Sequence, residues 1–278
     1  MNIRTAAFAG QFYPENPKEL EAQLELFFSN CKMKNDCSAI ISPHAGYIYS
    51  GQTAAKAFSR LGKFGTYIII GPNHTGLGSA ISIGENDFWE TPLGKIEVNK
   101  KLANEIVGKS NAEFDRLAHI GEHSIEVQIP FLQYMSKLVG PEKPPKIIPI
   151  IISEDNLEEI KQLAKAISEI SKKESIGIIA SSDFSHFISE KQARKLDFEA
   201  IDYITKIDPE GFHLKVNSLN LSICGYLPIT CLLQYCKEIR LNSAEIEEYT
   251  TSGSVTGDLS SIVAYCGICF KKAKNPKN

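Results

Sequence analysis

The sequence has neither a long apolar run nor a basic tract. Its 30 lysines and arginines and 33 aspartates and glutamates are interspersed, and the net charge is −3. We therefore expect no nucleic-acid partner, because clustered positive charge is what binds nucleic acid. No apolar stretch approaches the roughly 20 residues that a membrane-spanning helix needs, and the N-terminal segment lacks the sustained apolar core of a secretory signal. These features predict a cytoplasmic protein with no membrane partner.

The cysteines do not follow a disulfide pattern. There are seven of them, an odd number, and most lie in apolar segments such as TCLLQYC (230–236) and AYCGICF (264–270). A chain of 278 residues can bury a large core, so it needs no disulfides for stability. We expect reduced thiols that pack as small apolar side chains.

Short runs rich in isoleucine and valine alternate with segments of helical periodicity. The runs predict strands at 38–43, 66–72, 79–84, 146–153, 175–182, 244–253 and 260–270. The periodic segments predict helices at 52–61, 101–109, 124–138, 156–173, 189–207 and 228–240. Pro130 is expected to kink the third of these helices. We predict a single α/β domain over residues 1–278, with a mainly parallel central sheet and helices on both faces.

Three of the six histidines follow predicted strands directly. His44 comes after the first strand, His74 after the second, and Asp183 and His186 after the fifth. Ligands bind beyond the carboxyl ends of the strands in an open parallel sheet. Any one of these residues would also suit a turn cap, but three coincidences at the same edge favour a functional site. A fourth histidine, His123, stands at the predicted start of a helix in GEHS.

Converging neutral imidazoles with one anionic ligand suit a divalent transition metal. Asp183 and Cys224 are both candidates for the anionic ligand. Cys224 lies in a glycine-containing segment just before the last predicted helix, whose N-terminus is expected to lower the thiol pKa and favour thiolate. Thiolate is a good ligand for iron, copper and zinc.

The motifs at these positions resemble those of the Memo family, named for a mediator of cell motility. The matching segments occur in order over essentially the whole chain: AFAGQFYP, SPHAGYIYSG, GPNHTG, GEHSIEVQIPFLQ, SSDFSHF and CGYLPI. Memo proteins are similar in fold to the class III extradiol dioxygenases, which are non-haem iron enzymes. The resemblance implies a dioxygenase-like α/β fold and a metal site of His44, His74 and Cys224 that holds Fe(II) or copper, with zinc as a further candidate.

The resemblance also implies roles for the other polar residues. His186 matches the acid/base histidine of the dioxygenases, and His123 and Asp183 would line the same pocket, so these three are the catalytic candidates. Extradiol ring cleavage is not expected, because the dioxygenases have a carboxylate where this chain has Cys224. Family members have been linked to iron or copper binding, to redox chemistry and to phosphopeptide binding.

Three functional interpretations follow. The leading one is a redox-metal protein with oxidase- or oxygenase-like chemistry, in which His186 is the general acid/base, since an imidazole with a pKa near ~6.5 carries protons at neutral pH. Asp183 would orient that ring, accept a hydrogen bond from a ligand histidine or cap a turn. The alternative is a non-catalytic module that binds a peptide or a phosphopeptide in the same pocket. The expected partner is therefore a small-molecule or peptide ligand. A hydrolase with Cys224 as nucleophile ranks last, because no nucleophile elbow surrounds it.

Overall fold

The computed structural model describes residues 1–140 and 144–273. The helices in these residues are α1 (Pro17–Ser29), α2 (Tyr47–Phe58), α3 (Lys100–Val107), α4 (Leu117–Ile120), α5 (Ile129–Val139), α6 (Leu157–Ser171), α7 (Glu190–Thr205), α8 (Pro209–Ser218), α9 (Tyr226–Glu238) and α10 (Gly253–Thr256). The strands are β1 (Ile3–Arg4), β2 (Ala39–Ser42), β3 (Thr66–Pro72), β4 (Ile81–Ile83), β5 (Phe88–Thr91), β6 (Gly94–Glu97), β7 (Glu113–Phe114), β8 (Lys146–Ile152), β9 (Ile176–Ser181), β10 (His186–Ile188), β11 (Ser243–Thr251) and β12 (Ile262–Lys271). That these elements form one domain stays a prediction.

One large sheet forms the centre of the molecule. Its strand order is β10-β12-β2-β9-β3-β8-β4-β7, and β11 pairs with β12 beside this path. The four central strands β2, β9, β3 and β8 are parallel, whereas β12 and β4 join them antiparallel. The predicted α/β fold with a parallel centre is therefore confirmed, and antiparallel strands extend the sheet at both margins. Strands β1, β5 and β6 form a separate small sheet.

The two faces of the central sheet each have an apolar core. Alternate residues of a strand point to opposite faces, so Ile68 and Ile70 of β3 join one core while Tyr67 and Ile69 join the other. Helices α3, α6, α7, α8 and α9 pack on the first face, and α1, α2 and α5 on the second. This double burial explains why the central strands are continuous apolar runs. In the described ranges no helix is both long and apolar enough to cross a membrane.

The helix predicted at 124–138 differs from the structure. A short 3-10 turn covers Glu126–Gln128, and α5 begins only at Ile129. Pro130 therefore lies in the first helical turn and produces no kink, because the missing N–H there would have no partner in the helix. The helix predicted at 52–61 begins earlier, at Tyr47.

Several elements were not predicted from the sequence. They are α1, α8, the short helices α4 and α10, and the short strands β1, β5, β6, β7 and β10. For α1 a signal exists: Asn16 caps the helix by accepting the backbone N–H groups of Lys18 and Glu19, and Pro17 opens its first turn. The short strands have no comparable signal, because each spans only two to four residues and has mixed polarity.

Candidate metal centre

Three neighbouring strands deliver the predicted residues to one edge of the sheet. Strand β9 lies between β2 and β3, so His44, Asp183 and His74 follow three adjacent parallel strands. Cys224 reaches the same edge from the segment that joins α8 to α9. The potential ligand atoms of His44, His74 and Cys224 all lie within 4.8 Å of one another.

The ring of His44 is held so that Nε2 is its basic nitrogen. Its Nδ1 lies 2.9 Å from Ser181 Oγ, and that hydroxyl donates its own proton to the carbonyl of Ser124 at 2.6 Å. Ser181 Oγ must therefore accept from His44 Nδ1–H, which leaves a lone pair on Nε2. Burial, and then the neighbouring His74, lower the pKa of His44 well below its usual value, so the ring is neutral.

The ring of His74 is fixed by Glu122, which sequence reasoning missed. Glu122 Oε1 accepts the His74 Nδ1–H at 2.9 Å, and Oε2 accepts the His74 backbone N–H at 2.6 Å. Burial alone would raise the pKa of Glu122, but the hydrogen bonds from His74 and from the Ser124 backbone N–H lower it to about 2. A charged carboxylate behind an imidazole sets its tautomer and strengthens Nε2 as a ligand. The segment that contains Glu122 and Ser124 packs directly against β3 at Gly71, where an added Cβ would stand 2.4 Å from Ser124 Oγ.

Cys224 lies against His44, with Sγ 3.2 Å from Nε2. Its sulfur also accepts the backbone N–H of Asp183 at 3.3 Å. The prediction that the helix N-terminus lowers the thiol pKa is wrong. Burial, and then the Asp183 carboxylate, raise the pKa of Cys224 far above its usual value. Cys224 lies just before Gly225, the N-cap of α9. The effect of burial on the thiol pKa exceeds the opposite effect of this helix N-terminus. Only glycine fits at 225, where a Cβ would lie 2.4 Å from the Ser181 carbonyl oxygen.

Asp183 supports the backbone of a candidate ligand. Its Oδ1 accepts the His44 backbone N–H at 2.8 Å, so of the three roles expected for Asp183 the geometry matches a hydrogen bond from a candidate ligand histidine, made through the backbone rather than the ring. The side chain is buried, and burial raises its pKa while the hydrogen bond from His44 opposes that rise. Asp183 does not hold the ring of His186 by a hydrogen bond; a different residue does.

The ring of His186 is held by Ser222. Its Nδ1 donates to the Ser222 carbonyl oxygen at 2.8 Å, and its backbone N–H donates to Ser222 Oγ at 2.9 Å. A carbonyl can only accept, so Nδ1 has the proton and Nε2 is the basic nitrogen. His186 lines the same cavity as His44 and His74.

His123 lies in a stack of rings beside the candidate ligands. Its centroid is 4.6 Å from that of His74 and 4.5 Å from that of Phe12, and Phe8 packs against its edge at 5.5 Å. Burial, and then the nearby His44, lower the pKa of His123 to about 4, so the ring is neutral at neutral pH. His123 therefore joins the pocket as a neutral polar group.

The two remaining histidines lie elsewhere. His119 is buried, with Nε2 3.3 Å from the Ser82 carbonyl and its ring against Trp89. His213 pairs with Asp155. The sequence signals for the histidines of the pocket were a position after a predicted strand for His44, His74 and His186 and the predicted start of a helix for His123.

The candidate ligands His44 and His74 line a cavity of about 500 Å³. Besides the four histidines and Asp183, the lining residues are aromatic, small or apolar, or hydroxylated: Phe12, Ala45, Gly46, Tyr49, Ser252, Thr256, Val263 and Tyr265. Within the described part of the chain, no lysine or arginine lines it. Two further groups of possible ligands occur: His74 with Glu122 and His123, and Glu245 with Glu247 and Cys269. Arg60 already pairs with both glutamates of the last group.

The fold and the site together define an α/β protein with a candidate metal centre of two histidines and one cysteine at the carboxyl edge of its sheet. The model of the Memo-like protein family matches residues 4–269, and the chain belongs to that family. A MEMO1 family protein of Methanosarcina mazei is 41% identical, with 96% of this chain and 99% of the relative covered. The MEMO1 family proteins of Methanosarcina barkeri (39%, covering 96% and 99%) and Aquifex aeolicus (36%, covering 97% and 100%) are similar over the same extent.

A solved structure shares the fold at low sequence identity. The crystal structure of the uncharacterized protein JW3007 from Escherichia coli K12 superposes with a TM-score of 0.55 and 13% identity, over 83% of this chain and 98% of that one. At this identity the similarity concerns the fold alone. The architecture is consistent with the dioxygenase-like α/β fold that the family resemblance implies.

Proposed function

We propose that this chain binds one redox-active transition metal ion, iron(II) or copper, through His44, His74 and Cys224, and that the pocket performs oxidase- or oxygenase-like chemistry on a small molecule. The main support is the convergence of three donor atoms within 4.8 Å of one another. The hydrogen bonds from Nδ1 of both imidazoles leave Nε2 as the available donor. Two imidazoles and a thiolate are a ligand set for copper and iron, and zinc accepts it as well.

Several features of the pocket bear on the binding of such an ion. Glu122 and Ser181 hold the two imidazoles, so little reorientation is needed on binding. Cys224 must lose its proton to become a ligand, and metal binding therefore releases a proton. The rings of Phe12, Tyr49 and Tyr265 give the cavity a partly apolar wall. When bound, an iron or copper ion supplies one-electron redox chemistry and a positive charge beside the cavity.

His186 is the residue that we assign to proton transfer. Its Nδ1–H is engaged by the Ser222 carbonyl, so a proton is taken up or released at Nε2. Asp183 keeps the backbone of His44 in place through its 2.8 Å hydrogen bond. His123 offers a neutral ring nitrogen to a bound small molecule.

The other two interpretations receive less support. A phosphopeptide usually meets arginine or lysine, and neither lines the cavity in the described ranges. A peptide-binding module without catalysis stays an alternative prediction. A hydrolytic Cys224 is not favoured, because a nucleophilic cysteine needs a lowered pKa and burial raises this one.

Metal analysis of matched variants tests the proposal. Wild-type protein purified without added metal is expected to contain about one equivalent of iron or copper, and the His44→Ala/Cys224→Ser double variant almost none. A His213→Ala/Cys31→Ser double variant changes the same residue types away from the cavity and should match wild type. Equal metal content in wild type and the first double variant would contradict the metal site, and zinc alone in wild type would contradict the redox assignment.

A further inference from the structure

A buried carboxylate lies directly behind the loop that contains Asp183 and His186. Asp197 of α7 is 0% exposed, and among the ion pairs of residues 1–140 and 144–273 none includes it. A buried charge without a counter-ion is costly unless hydrogen bonds compensate it. Burial raises the pKa of Asp197, and hydrogen bonds from Ser185 and Tyr249 oppose that rise.

The oxygens of Asp197 hold two other parts of the fold. Oδ1 accepts the Ser185 hydroxyl at 2.6 Å and the Ser185 backbone N–H at 3.2 Å. Oδ2 accepts the Tyr249 hydroxyl at 2.7 Å. One carboxylate therefore connects α7, strand β11 and the loop after β9.

Backbone hydrogen bonds to β12 hold Ser185 and its neighbour in that loop. The Ser185 carbonyl accepts the Ala264 backbone N–H at 2.9 Å, and Phe184 donates its backbone N–H to the Ala264 carbonyl at 2.8 Å. The next residues bend sharply: Phe187 has φ 59°, a left-handed conformation that is unfavourable for a bulky residue. The pairing of β10 with β12 shifts register between His186 and Ile188. A strained backbone of this kind persists only where its surroundings hold it.

We propose that Asp197 is a positioning residue of the metal pocket, which acts through Ser185 to direct His186 toward the cavity. Asp197 does not line the cavity itself. Its two hydrogen bonds to Ser185 keep the backbone of His186 where Nδ1–H meets the Ser222 carbonyl. The importance of His186 rests on the proposed function, whereas the link from Asp197 to the His186 ring does not.

A purely structural role would predict a different result from a positioning role. If Asp197 only stabilises the packing of α7 against β11, its loss lowers the melting temperature and leaves the ring of His186 unchanged. If it positions the loop, its loss also weakens the hydrogen bond between His186 and Ser222. The tautomer of His186 distinguishes the two, because that bond holds the proton on Nδ1.

Nitrogen NMR of histidine-labelled, metal-free protein reads this tautomer, with the His186 signals assigned through His186→Gln. Wild type is expected to show the Nδ1–H form, and Asp197→Asn and Ser185→Ala a mixture of both tautomers. Ser168→Ala, a buried serine on α6, is the matched control and should keep the wild-type signals.

If Asp197→Asn does not fold, the Tyr249→Phe variant provides the test. Tyr67→Phe is its control, because both substitutions remove a phenol hydroxyl that donates a hydrogen bond. Wild-type His186 signals in the folded variants of Asp197, Ser185 and Tyr249 would overturn the inference. Metal content is measured on portions of the same preparations before the metal is removed for NMR. A wild type that contains no iron or copper at that stage, with a shifted tautomer in the variants, would contradict the proposed function alone, and normal metal content with an unchanged tautomer would contradict this inference alone.

Discussion

Replacing Glu122 by glutamine tests how the protein prepares His74 for an ion. The carboxylate accepts His74 Nδ1–H at 2.9 Å, the His74 backbone N–H at 2.6 Å and the Ser124 backbone N–H at 2.8 Å. Glutamine keeps the shape but removes the negative charge and replaces one acceptor oxygen by an NH₂ group. The loss of such a partner lowers metal affinity about 10- to 100-fold. This corresponds to about 1.4 to 2.7 kcal/mol of binding free energy.

Competition of the metal-free protein with a coloured chelator for cobalt(II) or zinc measures that affinity. Glu122→Asp keeps the charge but shortens the side chain, so its affinity should fall between those of Glu122→Gln and wild type. Glu113→Gln changes a carboxylate that bonds the Ser79 hydroxyl outside the cavity, and it should leave the affinity unchanged. If folded Glu122→Gln binds the ion as tightly as wild type, the carboxylate does not prepare His74 and the reasoning fails.

Two further predictions concern histidines with different roles. His186→Gln is expected to leave the metal content equal to that of wild type. It should slow the ascorbate-driven oxygen consumption of the metal-loaded protein on the order of 100-fold, as measured with an oxygen electrode. An unchanged rate would show that His186 does not transfer the proton. His119 is buried, and burial followed by the charge of Arg4 lowers its pKa to about 4. In the unfolded chain His119 takes up a proton near pH ~6.5, whereas in the folded state it stays neutral until the pH nears 4. The free energy of unfolding therefore falls by up to about 3 kcal/mol as the pH is lowered over this range. Urea unfolding at both ends of this range should show a smaller pH difference for His119→Gln than for wild type; equal differences would contradict the assignment.

The central strands and their terminal histidines were predictable from the sequence for a physical reason. Strands buried on both faces must be apolar at every position, so β3 and β9 appear as continuous runs, and a polar residue after such a run stands out. The parallel arrangement then places His44 and His74 at the same edge. The proximity of the two histidines depended only on strand ends, whereas their role as metal ligands stays a prediction.

Features that depend on distant contacts were not predictable. Glu122 and His74 are 48 residues apart and meet only because β3 and the GEHS segment approach closely at Gly71. The ring of His186 is held by Ser222, 36 residues away, rather than by the nearby Asp183. The pKa of Cys224 was predicted with the wrong sign, because its burial against His44 and Asp183 is invisible in a local reading.

The position of β9 in the sheet has a consequence for protein synthesis. Strands β2 and β3 are consecutive in the sequence but not adjacent in the sheet, because the later strand β9 lies between them. A nascent chain that ends before β9 contains His44 and His74 but lacks both the strand that sets their spacing and the thiol of Cys224. The three donors therefore come together only late in translation. An ion that binds them stabilises completed molecules and gives no stability to unfinished ones.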